Sequence, residues 1–281
     1  MLRRFEFTQA RTVEEALALW RGSPDSRYLA GGTDLLTRAR ATGRSPARVV
    51  DVKAIPALGR LENLPDGGVR IGAAVSVARA AADPGVRARF PALARCCQAL
   101  GSYPLRQRAT LAGNICNASP CADTAAALLA LDAWVLATGP QGARRVSIHE
   151  LFLGPGQTCL APGELVTAVE LPAASAGARD ELDRLSHRRG VDISTVAVLV
   201  VSLPGGSPRH RVALLSVAPT PRRVAEAEAL LDARGPGGAE EAAALAREAC
   251  RPIDDVRGTA AYRREMVGVL TARAVNALAA G

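Results

Sequence analysis

Between residues 109 and 133 the chain reads ATLAGNICNASPCADTAAALLALDA, and two thiols five positions apart, Cys116 and Cys121, sit there among glycine, asparagine, serine and proline. A C-x₄-C pair resembles the opening of a plant-type iron–sulfur pattern, which needs two more thiolates, one of them three positions beyond the second cysteine. Residue 124 is threonine, and the other cysteines are Cys96, Cys97, Cys159 and Cys250. Cys96 and Cys97 are adjacent, a poor arrangement for two ligands on one iron. The ligand count therefore favours small half-buried cysteines in a tight loop over a cluster.

Other chemistries are removed by absence. The histidines His149, His187 and His210 are isolated, with no H-E-x-x-H to bring two of them to one metal. GPGQTC and GPGGAE both lack the last glycine of G-x-G-x-x-G, and the single lysine, Lys53, has no Walker glycines before it. A Rossmann site and a P-loop are thereby excluded as phosphate binders. Two loops of another kind remain, LAGGTDLL (29–36) and TLAGNICNASPCAD (110–123). Glycine permits positive φ and close approach, so that consecutive backbone N–H groups converge on phosphate oxygens. Two such loops would clasp a diphosphate between them, although a double glycine taken alone is equally a turn signal.

The elements that must position these loops follow from patterning. Thr12 with Glu15 three residues on is a capping box, and it predicts a helix over 13–21. RYLAGGTDLLTRARA passes from a short strand through the double glycine into a helical pattern, and RVVDV (48–52) returns as a strand. From about 60 to 172 short strands (GVRIGAAV, AWVLATG, ELVTAVELP) alternate with helices expected at 76–82 and 85–100, an α+β arrangement. PAASAGARDE, rich in small residues, marks a boundary. Beyond it DISTVAVLVVSL and RHRVALLSVAPT read as strands, and helices are expected at 222–233, at 238–250 and from 258 onward.

Composition bounds the function classes. At 281 residues two or three compact units are expected, and with 48% hydrophobic but only 3% aromatic residues their cores must be built from Ala, Val and Leu. The net charge of +8 raises nucleic acid as a partner, but the arginines are scattered and no basic run is interleaved with aromatics. An arginine-rich surface, part of it facing an acidic partner subunit, is the expectation instead. Charges interrupt the first apolar stretch, and no uncharged run of about 18 residues lies near either end, so no membrane span is expected. Six cysteines without a regular framework suit a reducing cytoplasm.

AGGTDLL (30–36) together with ATLAGNICNASPCADTAAALLALDA (109–133) resembles the FAD-binding medium subunit of molybdenum hydroxylases, the family of carbon monoxide dehydrogenase and xanthine dehydrogenase. The resemblance continues in order through LFLGPGQTCLAPGELVTAVELP (151–172), RRGVDISTVAV (188–198) and DDVRGTAAYRREMVGVLTARAV (254–275). It implies an α+β fold: a PCMH-type FAD-binding domain of two α/β subdomains, 1–56 and 57–174, and a C-terminal sheet-and-helix domain, 175–281.

The resemblance also implies site residues. Leu29, Ala30, Gly31, Gly32, Thr33, Asp34 and Leu35 would hold the diphosphate, with Thr110, Ala112, Gly113, Asn114 and Asn117 from the second loop. Asp123 would accept hydroxyl hydrogen bonds from the ribityl and adenosine portion, and Leu160 would pack on the isoalloxazine. Asp192 and Ile193 would sit on a strand beside the ring. Arg184 would contact the flavin ring where many relatives have Lys, and this chain has Ala112-Gly113-Asn114 where many have Gly-Gly-Asn. No inserted cysteine-rich loop is evident, so FAD is expected as the sole cofactor and no side chain as an acid–base catalyst. The implied partners are a large molybdenum-cofactor subunit and a small [2Fe–2S] subunit, assembled as a dimer of heterotrimers. A self-sufficient flavin-dependent reductase or oxidase of the same fold is the alternative, and a protein that kept the fold without FAD is a third reading against which the intact loops speak.

Overall fold

The computed structural model describes residues 3–23, 25–188 and 190–280, and along them the chain builds three larger sheets in succession and one two-stranded ribbon. Strands β1 (Glu6–Gln9), β2 (Ser26–Leu29) and β3 (Arg48–Asp51) form a parallel sheet in the order β1-β3-β2, with helices α1 (Val13–Arg21) and α2 (Leu35–Thr42) as the crossovers. Helix α1 starts where its cap predicts: Thr12 Oγ1 accepts the Glu15 N–H at 3.1 Å, while the Glu15 carboxylate accepts the Arg11 N–H at 2.7 Å. It buries Ala16 and Leu17.

The middle part is antiparallel. Strands β4 (Leu61–Asn63), β5 (Val69–Gly72), β6 (Trp134–Gly139) and β7 (Gly142–Ser147) share a five-stranded sheet with a last strand that follows the small hairpin β8 (Phe152–Gly154) and β9 (Gln157–Thr158). That last strand, β10 (Leu165–Leu171), is central in the order β4-β5-β10-β6-β7. Between β5 and β6 lie helices α3 (Val77–Ala82), α4 (Pro84–Arg89), α5 (Pro91–Ala99), α6 (Tyr103–Arg106), α7 (Leu111–Cys116) and α8 (Asp123–Ala130). The single helix expected over 85–100 is therefore two. Phe90, at φ −130° and ψ 57°, breaks it because the following Pro91 has no N–H and disfavours the helical conformation of the residue before it.

The last sheet has the order β11-β12-β13-β14, with β11 (Arg179–Leu185), β12 (Val196–Ser202), β13 (His210–Leu215) and β14 (Arg222–Arg223) all antiparallel. The PAASAGARDE segment thus leads straight into β11, whose run RDELDRL carries no apolar alternation because its acids are paired. Asp180 lies 2.6 Å from Arg95 of α5 and Asp183 3.3 Å from Arg273. Strand β12 is buried on both faces. Ala197, Leu199 and Val201 join the main core with α5 and α8, while Val196, Val198 and Val200 join a second core on the other side. Helices α9 (Ile148–Leu151), α10 (Ala225–Arg234), α11 (Ala239–Ala249) and α12 (Ala260–Ala280) complete the chain, and α11 and α12 cover that second core. No helix among the described residues is long and apolar enough to cross a membrane.

One aromatic contact joins the first part to the middle. Trp20 stacks on Tyr28 with ring centroids 6.5 Å apart, and the Tyr28 hydroxyl donates to the Gly163 carbonyl at 2.9 Å. Gly163 is held at φ +86°, and a Cβ there would stand 2.8 Å from the Trp20 ring. Only glycine fits.

Candidate functional site

A cavity of about 920 Å³ opens where the three parts of the chain meet, at the upper end of the size range of small-molecule sites. Its floor is the pair of glycine loops. Gly31 packs directly on the backbone of the second loop, since a Cβ there would lie 2.2 Å from the Arg108 carbonyl oxygen and 2.9 Å from Ala109 Cα. Gly32 takes φ +74°, which its neighbour does not. The N–H groups of Gly31, Gly32, Thr33 and Asp34 have no protein acceptor among the described residues, and neither does that of Ala112. Two facing loops thus present unpaired backbone donors to one space, the donor set that a diphosphate accepts from.

The second loop is held rigidly. Thr110 Oγ1 accepts the Gly113 N–H at 3.0 Å and caps α7. Asn114 Oδ1 accepts the Thr124 hydroxyl at 2.6 Å, which ties α7 to α8. Ala118 is forced to φ +47°, its carbonyl accepting from Gly156 and that of Pro120 accepting the Ser216 N–H, each at 2.9 Å. Across the mouth Arg38 donates to Asn117 Oδ1 at 2.9 Å and links the two loops.

Leu29 to Leu35, Thr110, Ala112, Gly113, Asn114, Asn117, Asp123 and Leu160 all line this cavity, as do Asp192 and Ile193. The last two are not on a strand, however. They lie in the 186–195 loop before β12, where the Asp192 carboxylate accepts the N–H groups of Arg188 and Ile193 at 3.1 and 2.9 Å and turns the backbone away from a ladder. Arg184 does not line the cavity. It stands behind Asp123, with Nε 3.4 Å from the carboxylate. Burial pushes the Asp123 carboxyl up to about 6, and the Arg184 charge opposes that rise.

Tyr28, Glu164 and the arginines Arg27, Arg38, Arg188 and Arg257 also line the cavity without having been singled out by sequence. Tyr28 carried a signal, its place one residue before the glycine loop. The arginines carried none, since they are four among many. Cys116 and Cys121 line the cavity as free thiols, Cys116 exposed and Cys121 half-buried. Among the described residues no three His, Cys, Asp or Glu side chains gather as a metal site. His149 pairs with Asp132 and His210 with Asp232, and His187 sits 2.5 Å from the Arg257 carbonyl oxygen at the cavity's edge.

Comparison with known proteins agrees with this geometry. Residues 3–174 match the family described as FAD binding domain in molybdopterin dehydrogenase, and residues 184–278 match the CO dehydrogenase flavoprotein C-terminal domain. The carbon monoxide dehydrogenase medium chain of Hydrogenophaga pseudoflava is 33% identical, the alignment covering 98% of this chain and 96% of that one. A xanthine dehydrogenase FAD-binding subunit of Escherichia coli O157:H7 is 30% identical over 79% of this chain and 77% of its own length. In the solved carbon monoxide dehydrogenase of Hydrogenophaga pseudoflava, one chain superposes with a TM-score of 0.93 at 32% identity, covering 100% of this chain and 99% of the other.

Proposed function

Because this chain belongs to the family of FAD-binding medium subunits of molybdenum hydroxylases, we propose that it is the electron-transfer subunit of such a complex, passing electrons from [2Fe–2S] clusters to an external acceptor. It is an oxidoreductase subunit, and its cofactor is FAD. The observation that carries the reading is the pair of glycine loops facing each other with unpaired N–H donors over one cavity. Residues 29–35 with Thr110, Ala112, Gly113, Asn114 and Asn117 would hold the diphosphate. Asp123 would accept sugar hydroxyls, and Leu160, Asp192 and Ile193 would wall the ring.

FAD supplies the redox chemistry when bound, at its N5. The chain's own residues bind it, orient it and keep water from one side of the space. No side chain in the cavity is assigned a proton-transfer role. The first two sheets, divided near residue 56, would form the FAD-binding domain to residue 174, and 175–281 a C-terminal domain. A large molybdenum-cofactor subunit would oxidise the organic substrate, a small [2Fe–2S] subunit would relay electrons, and the whole would assemble as a dimer of heterotrimers in the cytoplasm. Free cysteines throughout agree with that compartment.

The test is purification from the native host under anaerobic conditions. Two partner chains, one with molybdenum and one with iron, are expected to co-purify, and organic substrate should reduce the flavin only in the complex. Reduction of the isolated chain's flavin by an organic substrate would replace this reading with a self-sufficient flavoenzyme.

A further inference from the structure

Arg184 stands outside the cavity, yet its guanidinium reaches three elements that shape it. Nη1 donates to the Ala99 carbonyl at the end of α5 at 3.1 Å, and Nη2 donates to the Asp192 carbonyl in the 186–195 loop at 2.6 Å. Nε faces Asp123 at the start of α8 at 3.4 Å without an aligned hydrogen bond, so that contact is coulombic. The arginine side chain is 18% exposed and the aspartate 17%, which leaves little water to screen the pair. We infer that Arg184 is a positioning residue: from behind the wall it holds the Asp123 carboxylate and the Asp192–Ile193 loop at a fixed spacing, and so sets the two surfaces between which the flavin lies. This rests on the FAD reading given above.

The chemistry of the group supports the assignment. A planar guanidinium directs two donors to carbonyls on separate elements while its charge stays beside the carboxylate, an arrangement that a single ammonium does not reproduce. Asp123 is otherwise short of partners. Cys96 and Cys97 face it from α5 as buried thiols whose ionisation burial suppresses, and Asp180 of β11 is held by Arg95. Asp192 turns its own carboxylate to Arg188. Arg184 is the cation facing Asp123 among the described residues. An ionised carboxylate only accepts hydrogen bonds, which is what sugar hydroxyls require of it. FAD affinity should therefore be full above the carboxyl's titration near 6 and fall as pH drops through it.

The experiment is FAD titration of the full-length apoprotein by flavin fluorescence between pH 5 and 9, for wild type and for R184M, R184K and D123N, with folding checked by circular dichroism. The wild-type dissociation constant should inflect near pH 6. Without the neighbouring cation the inflection of R184M should move up by about 1–3 pH units, which at pH 7 weakens binding about 2-fold for a one-unit rise and about 100-fold for three. R184K keeps the charge and so the inflection, but loses affinity at every pH because the Asp192 carbonyl loses its donor. In D123N the inflection should vanish, and adding R184M should not restore it. An R184M inflection that stays in place, or a shift that persists without Asp123, would overturn the role given to Arg184. Should R184M not fold, an R184K profile superimposable on wild type in affinity and inflection overturns it equally. Failure of the wild type to take up FAD at any pH would instead overturn the functional reading itself.

Discussion

Replacing Gly31 by alanine should separate the two glycine loops and release FAD. Gly31 is not among the glycines at positive φ, so the effect is steric rather than conformational. The new Cβ would stand 2.2 Å from the Arg108 carbonyl oxygen and 2.8 Å from its carbon. Both are backbone atoms that cannot rotate away. Ordinary contact between such atoms is about 3.5 Å, so the loops must part by roughly 1 Å. Hydrogen bonds to phosphate oxygens work over a window of about half an ångström, and a shift of that size takes at least one of them out of range. Each charge-assisted bond is worth about 1.5–3 kcal/mol, which corresponds to roughly 10- to 100-fold in dissociation constant. Flavin fluorescence titration of the apoprotein reads this directly. Gly43→Ala is the control: it has φ +65° but nothing within 4 Å of its Cβ, so it should cost about 1–2 kcal/mol of folding stability and leave FAD affinity unchanged. A Gly31→Ala dissociation constant within twofold of wild type would refute the idea that backbone contact between the loops sets the site.

Gly32→Val places a branched side chain at φ +74° and against Leu29, and FAD affinity should drop at least about tenfold in the same titration. Acid precipitation of the holoprotein should leave a yellow supernatant whose nucleotide runs as FAD, because no histidine stands in either loop for covalent attachment; flavin in the pellet, or FMN, would contradict it. The double variant C116S/C121S should keep its flavin and show no loss of iron per isolated chain, whereas iron and labile sulfide present in the wild type and lost in the variant would make these thiols cluster ligands.

The glycine loops were legible because their signal is local: glycines, an asparagine and a capping threonine report backbone geometry that a few neighbouring residues decide. Helix α1, with its Thr12 and Glu15 cap, was legible for the same reason. Strand β11 was not. Its buried Asp180 and half-buried Asp183 are paired with Arg95 and Arg273, which come from helices distant in sequence. The placement of Asp192 and Ile193 in a loop follows from an aspartate capping its own backbone beside a fully apolar strand, and residue type alone does not locate where that strand begins. Arg184 was named for the right neighbourhood but the wrong surface. Sequence showed a cation at that position, whereas the side to which it points depends on the crossing of β11 with α5 and α8.

The seam between the first sheet and the rest of the molecule is closed by an indole, and this gives the protein an optical gauge. Trp20 lies against Gly163, beside a segment that walls the cavity, whereas the other tryptophan, Trp134, sits on the five-stranded sheet with the Arg145 guanidinium 4.5 Å above its ring. The two emitters therefore report on different places. Trp20 emits beside the segment 164–166 that walls the space a yellow chromophore would fill, so its emission should change when that space is occupied or the seam opens. With Trp134 replaced by phenylalanine the chain would carry a single lamp, and cofactor entry could be followed in real time without any added dye.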